Sequence, residues 1–167
     1  MAGFCGARLS RYGRDFGAAE PARRGAGLYR QFYEATRKLA FPREGPARAR
    51  TQYAQAAKLL GDHSQGLAQL DAYREAVRIW SQLVEDTKTA DVAAKQYDVI
   101  LGLARVFDAK KDWPDAQVAY RAAMKIATLN YVKNSADAAW RDKAEEAERA
   151  SVGAQQAAEM VPANAPH

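Results

Sequence analysis

Apolar residues recur along the chain at helical spacing, and the breaks between the stripes divide it into six segments. In the first, about 26–40, Leu28, Phe32, Ala35 and Leu39 fall at steps of 4, 3 and 4, one face of an α-helix. Pro42, Gly45 and Pro46 then interrupt the chain. A second stripe, in 47–60, holds Ala49, Tyr53, Ala56 and Leu60, with Gly61 placed to end the helix. Ser64 is positioned to cap a third helix, about 65–85, whose stripe is Leu70, Tyr73, Val77, Trp80 and Val84. Thr87 or Thr89 opens a fourth, about 90–110, with Ala93, Tyr97, Ile100, Ala104 and Phe107. Asp112 caps a fifth, about 113–128, with Pro114 in the first turn, where its missing N–H costs nothing. Its stripe is Ala116, Tyr120, Ala123 and Ala127. Ser135 begins a sixth, aligning Trp140, Ala144, Ala147, Ala154 and Ala158, and the two prolines after Val161 predict a fraying tail.

Six helices joined by short loops predict an all-α fold of antiparallel hairpins, as a stack or a bundle. Residues 26–160 read as one helical domain, 1–25 as a basic arm and 161–167 as a tail. The stripes mix alanine with aromatics. Small residues let helix backbones approach and the rings fill the space between, unlike the leucine seam of a coiled coil.

Within these stripes, Ala104 is followed by Phe107, Ala116, Tyr120 and Ala123 at offsets of 3, 12, 16 and 19. This pattern resembles the tetratricopeptide repeat, whose two helices pack through such small and aromatic positions. Lys111 stands where that family usually has a glycine in the turn. An earlier copy, Ala57, Leu60, Tyr73 and Ala76, keeps the offsets with Gln69 in place of an alanine, and lies 47 residues upstream rather than 34. The resemblance implies a scaffold or adapter, with repeats that need neighbours to bury their faces.

A second resemblance sits in the first helix. Leu28-Tyr29-Arg30, followed by Phe32, is similar to the motif of the LYR family, small three-helix mitochondrial proteins. Over about 26–85 it implies an accessory subunit or assembly factor. Several members receive an acyl carrier protein, and this would place Tyr29 and Arg30 near such a docking face, with Arg37 and Lys38 further along. Leu59 and Leu60 occupy the neighbourhood where the family has a phenylalanine.

Charge sharpens the reading. The net +5 comes from the N-terminal third, because residues 1–50 hold 11 Lys and Arg against 4 acids. Residues 1–25 carry Arg8, Arg11, Arg14, Arg23 and Arg24 with only Asp15 and Glu20, a composition like that of a mitochondrial targeting segment. Such a segment could also touch anionic lipid or RNA. One cysteine, Cys5, allows no internal disulfide.

Catalytic chemistry finds little foothold. His63 and His167 have no ligand partners at metal spacing, no glycine-rich phosphate loop follows a strand, and the acids around Glu145 alternate with Lys143 and Arg149 on a solvated face. The expectation is a non-enzymatic, cofactor-free accessory subunit of a larger mitochondrial assembly, a respiratory-chain or ATP synthase complex, at the matrix or the matrix face of the inner membrane and without a transmembrane helix. A freestanding cytosolic peptide-binding adapter and a mitochondrial ribosomal accessory protein are the alternatives. Leu28, Tyr29, Arg30, Arg37, Lys38, Trp113 and Tyr131 are the candidate partner-binding residues. Trp80 and Trp140 read as core.

Overall fold

The computed structural model describes residues 19–40 and 45–160, with side chains from Gly27 onward. Six α-helices account for them: α1 Ala19–Ala40, α2 Ala47–Asp62, α3 Gly66–Thr87, α4 Ala90–Ala109, α5 Trp113–Lys133 and α6 Ala138–Glu159. No strand occurs among the described residues. Each helix packs on its sequence neighbours, so the chain folds as a run of antiparallel hairpins. The expected segment 1–25 overlaps α1, which reaches back to Ala19; residues 1–18 and the tail 161–167 lie outside the described residues.

The first helix of each hairpin recurs at a fixed spacing, while the second helices start at Ala47, Ala90 and Ala138. α1, α3 and α5 begin at Ala19, Gly66 and Trp113, each 47 residues after the last, and α6 ends at Glu159. Residues 19–159 therefore divide into three 47-residue units. Matching positions in the second helix of each unit are buried alike: Tyr53, Ile100 and Ala147; Ala57, Ala104 and Ser151; Leu60, Phe107 and Ala154. The same alignment puts Ala76 with Ala123 and Trp80 with Ala127, all buried. The helices form two layers. Tyr97 and Lys143 tie α4 to α6 directly, and clefts lined jointly by α2 and α4 place those helices side by side; α1, α3 and α5 make the other layer.

Alanine allows this packing. Ala54, Ala56, Ala57, Ala76, Ala104, Ala116, Ala123, Ala127 and Ala147 have no exposed surface. Tyrosines cross the narrow seams and bind acids on neighbouring helices. Tyr53 donates to Glu75 at 2.8 Å, Tyr73 to Asp62 and Tyr120 to Asp108 at 3.5 Å; Tyr97 donates to the Lys143 carbonyl at 2.9 Å with Glu146 at 3.3 Å. Tyr73 is wedged between two glycines. A Cβ on Gly61 of α2 or Gly102 of α4 would lie within 2.8 or 2.7 Å of its ring.

Several sequence expectations need correction. Gly61 does not end α2; it lies inside the helix, buried under Tyr73, and His63 is the cap. Ser64 is not the cap of α3, which starts after Gln65 with no side-chain cap bond. Thr89 and Asp112 stand at the caps of α4 and α5 without side-chain bonds. Asp137, not Ser135, caps α6, accepting from the Ala139 N–H at 3.1 Å. α5 runs on to Lys133, and Ala158 faces solvent while Ser151 is buried.

The largest correction concerns α1. The stripe expected to be core is turned outward: Leu28 and Leu39 are each 67% exposed and Phe32 44%. α1 instead presents Tyr29, Tyr33 and Thr36 to α2. Thr36 can be buried, at 5% exposure, because its hydroxyl donates back to the carbonyls of Phe32 at 2.8 Å and Tyr33 at 3.0 Å.

Candidate functional site

The turn between α4 and α5 shows how local sequence fixes the array. Lys111 adopts φ 60, the left-handed conformation usual for glycine. The Asp112 N–H reaches the Phe107 carbonyl and the Lys111 N–H the Asp108 carbonyl, both at 2.9 Å, a Schellman closure with lysine at its left-handed position. The departure from glycine therefore leaves the turn tight. Across it pack all five expected repeat-core residues, Ala104, Phe107, Ala116, Tyr120 and Ala123, each buried.

The candidate partner residues do not form one surface. Five lie on α1 and two on α5, separated by the intervening helices. Trp113 opens α5 and Tyr131 stands near its other end; both are half-buried against the core. Trp80 and Trp140 are core residues, Trp140 meeting the Tyr97 ring edge-on at 6.3 Å.

The helix splits its own five residues further. Leu28 belongs to the exposed stripe, with Phe32 and Leu39. Tyr29 turns into the α2 seam and stacks on His63, ring centres 4.2 Å apart and nearly parallel. Arg30 and Arg37 are exposed and, seven residues apart, share the side of α1 away from the stripe. Lys38 is exposed at the stripe's flank. His63, Tyr33 and Glu75 carried no signal in the sequence patterns, since each sits outside the apolar stripes.

Beside α1, the Tyr33 and Tyr53 hydroxyls lie 3.0 Å apart, and Glu75 receives Tyr53 together with a two-pronged grip from Arg78 at 2.7 Å through each nitrogen. Arg78 chiefly, with Tyr53 and Arg37 adding, holds the Glu75 carboxyl below its usual range against the opposing effect of burial. Burial first, and its hydrogen bonds second, push the Tyr53 phenol far above its ordinary value. This cluster is a structural joint between α1, α2 and α3.

A second surface lies on the other layer. Gln55, Lys58, Leu59, Trp80, Lys95, Asp98 and Val99 line a cleft of ≈ 390 Å³ between α2 and α4. The Trp80 indole N–H is buried and meets no acceptor among the described residues. The neighbouring charges are largely paired: Lys58 with Asp62 at 2.7 Å, Lys143 with Asp98 at 3.2 Å and Arg105 with Glu146 at 2.8 Å. Among the described residues no three His, Cys, Asp or Glu side chains converge as metal ligands, and no helix is long and apolar enough to cross a membrane.

Fold and surface together define a class, an all-helical array of tandem hairpins whose first helix exposes an apolar stripe. No protein-family model matches the chain, and no curated protein matches it.

Proposed function

We propose that this chain is a non-catalytic accessory subunit of a larger mitochondrial assembly, of the respiratory-chain or ATP synthase kind, built on tetratricopeptide-like hairpins. One observation carries the reading: the outward apolar stripe of α1, Leu28, Phe32 and Leu39. A helical array is stabilised by nearest neighbours, and an end helix with an apolar face in water lacks one. Covering these three side chains would contribute roughly 1–2 kcal/mol each, a strong incentive to bind. The mitochondrial part rests on the Arg-rich, acid-poor composition of residues 1–25 and on Leu28-Tyr29-Arg30. The test is import into isolated mitochondria followed by native-gel migration. Removal of the first 20–25 residues and comigration with a large membrane complex support the proposal. A band near the 18.4 kDa monomer counts against it.

A second reading, a freestanding peptide-binding adapter, draws on the α2–α4 cleft lined by Gln55, Lys58, Lys95 and Asp98. The internal pairing of the cleft's charges makes it the weaker of the two, because a peptide would find few free ionic partners there.

A further inference from the structure

The 47-residue spacing leaves one unmatched helix at each end of the described array, because no described helix precedes α1 or follows α6. These two helices are the halves of one seam. Where α2 meets α3, Tyr53 donates to Glu75 at 2.8 Å and Arg50 meets Asp86 at 2.6 Å. One unit on, the places of Tyr53 and Glu75 are taken by Ile100 and Ala122, which line one cleft between α4 and α5. Two units on from α2, the places of Tyr53 and Arg50 fall on Ala147 and Ala144 of α6. One unit back from α3, those of Glu75 and Asp86 fall on Leu28 and Leu39 of α1. Both polar pairs of the inner seam thus become apolar pairs, Ala147 with Leu28 and Ala144 with Leu39, and the change is matched on both helices. Ile79 of α3, between those pairs and 2% exposed, corresponds to Phe32, 44% exposed.

We propose that α6 seats α1 of a second copy of this chain, so that copies stack head to tail and the array runs on across the junction. The inference rests on reading the α1 stripe as a docking face, and it names the neighbour. Charge agrees with it. The exposed charged residues of α1 from Gly27 onward are Arg30, Arg37 and Lys38 against Glu34, and those of α6 are Asp142, Glu145, Glu148 and Glu159 against Arg141 and Arg149. Opposite net signs favour α1 on α6 over α1 on α1 or α6 on α6. Val152, 49% exposed on α6, stands where Lys58 of α2 lines the clefts with α4 and where Arg105 of α4 meets Glu146 of α6. The side it faces belongs to α2 of the second copy.

Other occupants answer for one end only. Lys38 and Arg48, exposed beside an outward apolar stripe, also suit an anionic bilayer. An unrelated apolar helix would cover Leu28, Phe32 and Leu39 as well. Neither accounts for the matched change on α1 and α6, nor for Val152 turned outward at the far end. Two unlike faces that continue a stack do not close on themselves, so each assembly keeps one free α1 and one free α6 and grows with concentration. The free α1 of the terminal copy remains open to another subunit.

The experiment is sedimentation velocity on the purified full chain, with circular dichroism to confirm that each variant folds. The average mass is expected to rise above the 18.4 kDa monomer between roughly 10 and 500 µM, the range of a junction at the small end of interface sizes. Phe32→Glu on α1 and Val152→Glu on α6 should each weaken association at least tenfold, and Leu28→Glu is a second α1 variant; all three positions are exposed. Mixed in equal amounts, Phe32→Glu and Val152→Glu should form a heterodimer and nothing larger, because the first keeps a sound α6 and the second a sound α1. A chain that stays monomeric throughout that range overturns the inference. Flotation with vesicles of anionic lipid, or association that appears only once residues 1–18 are removed, then identifies the bilayer or that segment as the occupant of α1. Association that only one of the two variants abolishes also overturns it, since that marks a like-with-like face, and so does a mixture that associates no better than its parts. Failure here leaves the accessory role to native-gel migration in mitochondria. A chain that stacks when purified but comigrates with no larger complex keeps the junction and loses that role.

Discussion

Gly102→Ala tests the packing logic most sharply, because two opposed effects can be weighed. In the middle of α4, replacing glycine by alanine gains about 1 kcal/mol of helix propensity. At Gly102 the new methyl carbon would lie 2.7 Å from Tyr73 Cε1 and 3.1 Å from its Cζ, well inside the ~3.5–4.0 Å of an ordinary carbon contact. The ring cannot simply step aside. Gly61 closes its other edge and Asp62 holds its hydroxyl. Overpacking of this kind costs about 1–3 kcal/mol, and the lack of an escape route puts it in the upper half of that range. The net expectation is a loss of about 1–2 kcal/mol. Gly153→Ala on α6 meets nothing within 4 Å and should gain about 1 kcal/mol from the same chemical change. Urea denaturation followed by circular dichroism measures both. Gly61→Ala should behave like Gly102→Ala, and the pair together should lose more than the sum, since each single change is relieved by motion toward the other glycine. With Tyr73→Leu in place, Gly102→Ala should turn stabilising. If Gly102→Ala stabilises the native chain as Gly153→Ala does, Tyr73 is not clamped and the account of the α2–α3–α4 joint fails.

Other outcomes follow from single contacts. Lys111→Gly and Lys88→Gly should each stabilise the chain by about 0.5–1 kcal/mol in thermal or urea melts, because both lysines hold positive φ, whereas Lys110→Gly, at φ −86, should destabilise it. Burial first, then a neighbouring acid for Tyr73 and Tyr97 and the Tyr33 hydroxyl followed by Glu75 for Tyr53, raise these phenols above their ordinary value. A raised phenol favours the protonated folded form, so stability is full below pH ~10 and falls as pH rises beyond it; phenolate absorbance and loss of helix signal should appear together, and separate titrations would refute this. Glu75 works at the other end. Its lowered carboxyl contributes above the ordinary Glu range, near pH ~4.3, and that contribution drains as pH falls through the lower folded value. Glu75→Gln should therefore flatten the acid limb of a stability–pH curve. In hydrogen exchange α1 should open before α4, which has a helix on either side.

The hairpins were legible because alanine and aromatic residues at helical spacing have few other uses in such number. The stripes of α4 and α5 are buried as read, from Ala93 to Phe107 and from Ala116 to Ala127. Two copies of a hairpin are visible in the sequence, α2–α3 and α4–α5, through Ala57 and Ala104, Leu60 and Phe107, and Tyr73 and Tyr120. The recurrence in α6 is hidden, because that helix fills the matching places with Ala147, Ser151 and Ala154, and a serine or alanine carries no distinct signal. α1 misled for a physical reason. Its apolar arc is wide enough to hold two adjoining stripes, and hydrophobicity favours Leu28, Phe32 and Leu39. The buried choice goes to Tyr29, Tyr33 and Thr36, because hydrogen bonds and a ring stack available only in the folded array satisfy their polar atoms. Gly61 reads as a helix stop in the sequence because glycine can end a helix as readily as it admits a ring. Gly102, inside an otherwise regular helical pattern, was the available hint of close approach.

Alanine seams bring helices close but leave them free to slide, since a row of methyl groups offers little to fix axial register. The tyrosines remove that freedom. Tyr53 with Glu75 and Tyr73 with Asp62 lock α2 to α3 from both sides, Tyr120 with Asp108 joins α4 to α5, and Tyr97 with Lys143 and Glu146 reaches from α4 to α6. Each such bond is directional, and a slip of one residue, about 1.5 Å along the axis, would break it and leave a buried hydroxyl unpaired. α1 is joined differently. Among the described residues its links to α2 are the Tyr33–Tyr53 hydroxyl pair and the Tyr29–His63 stack, so α1 reaches the Glu75 carboxylate of α3 through Tyr53, and the same tyrosine holds both seams.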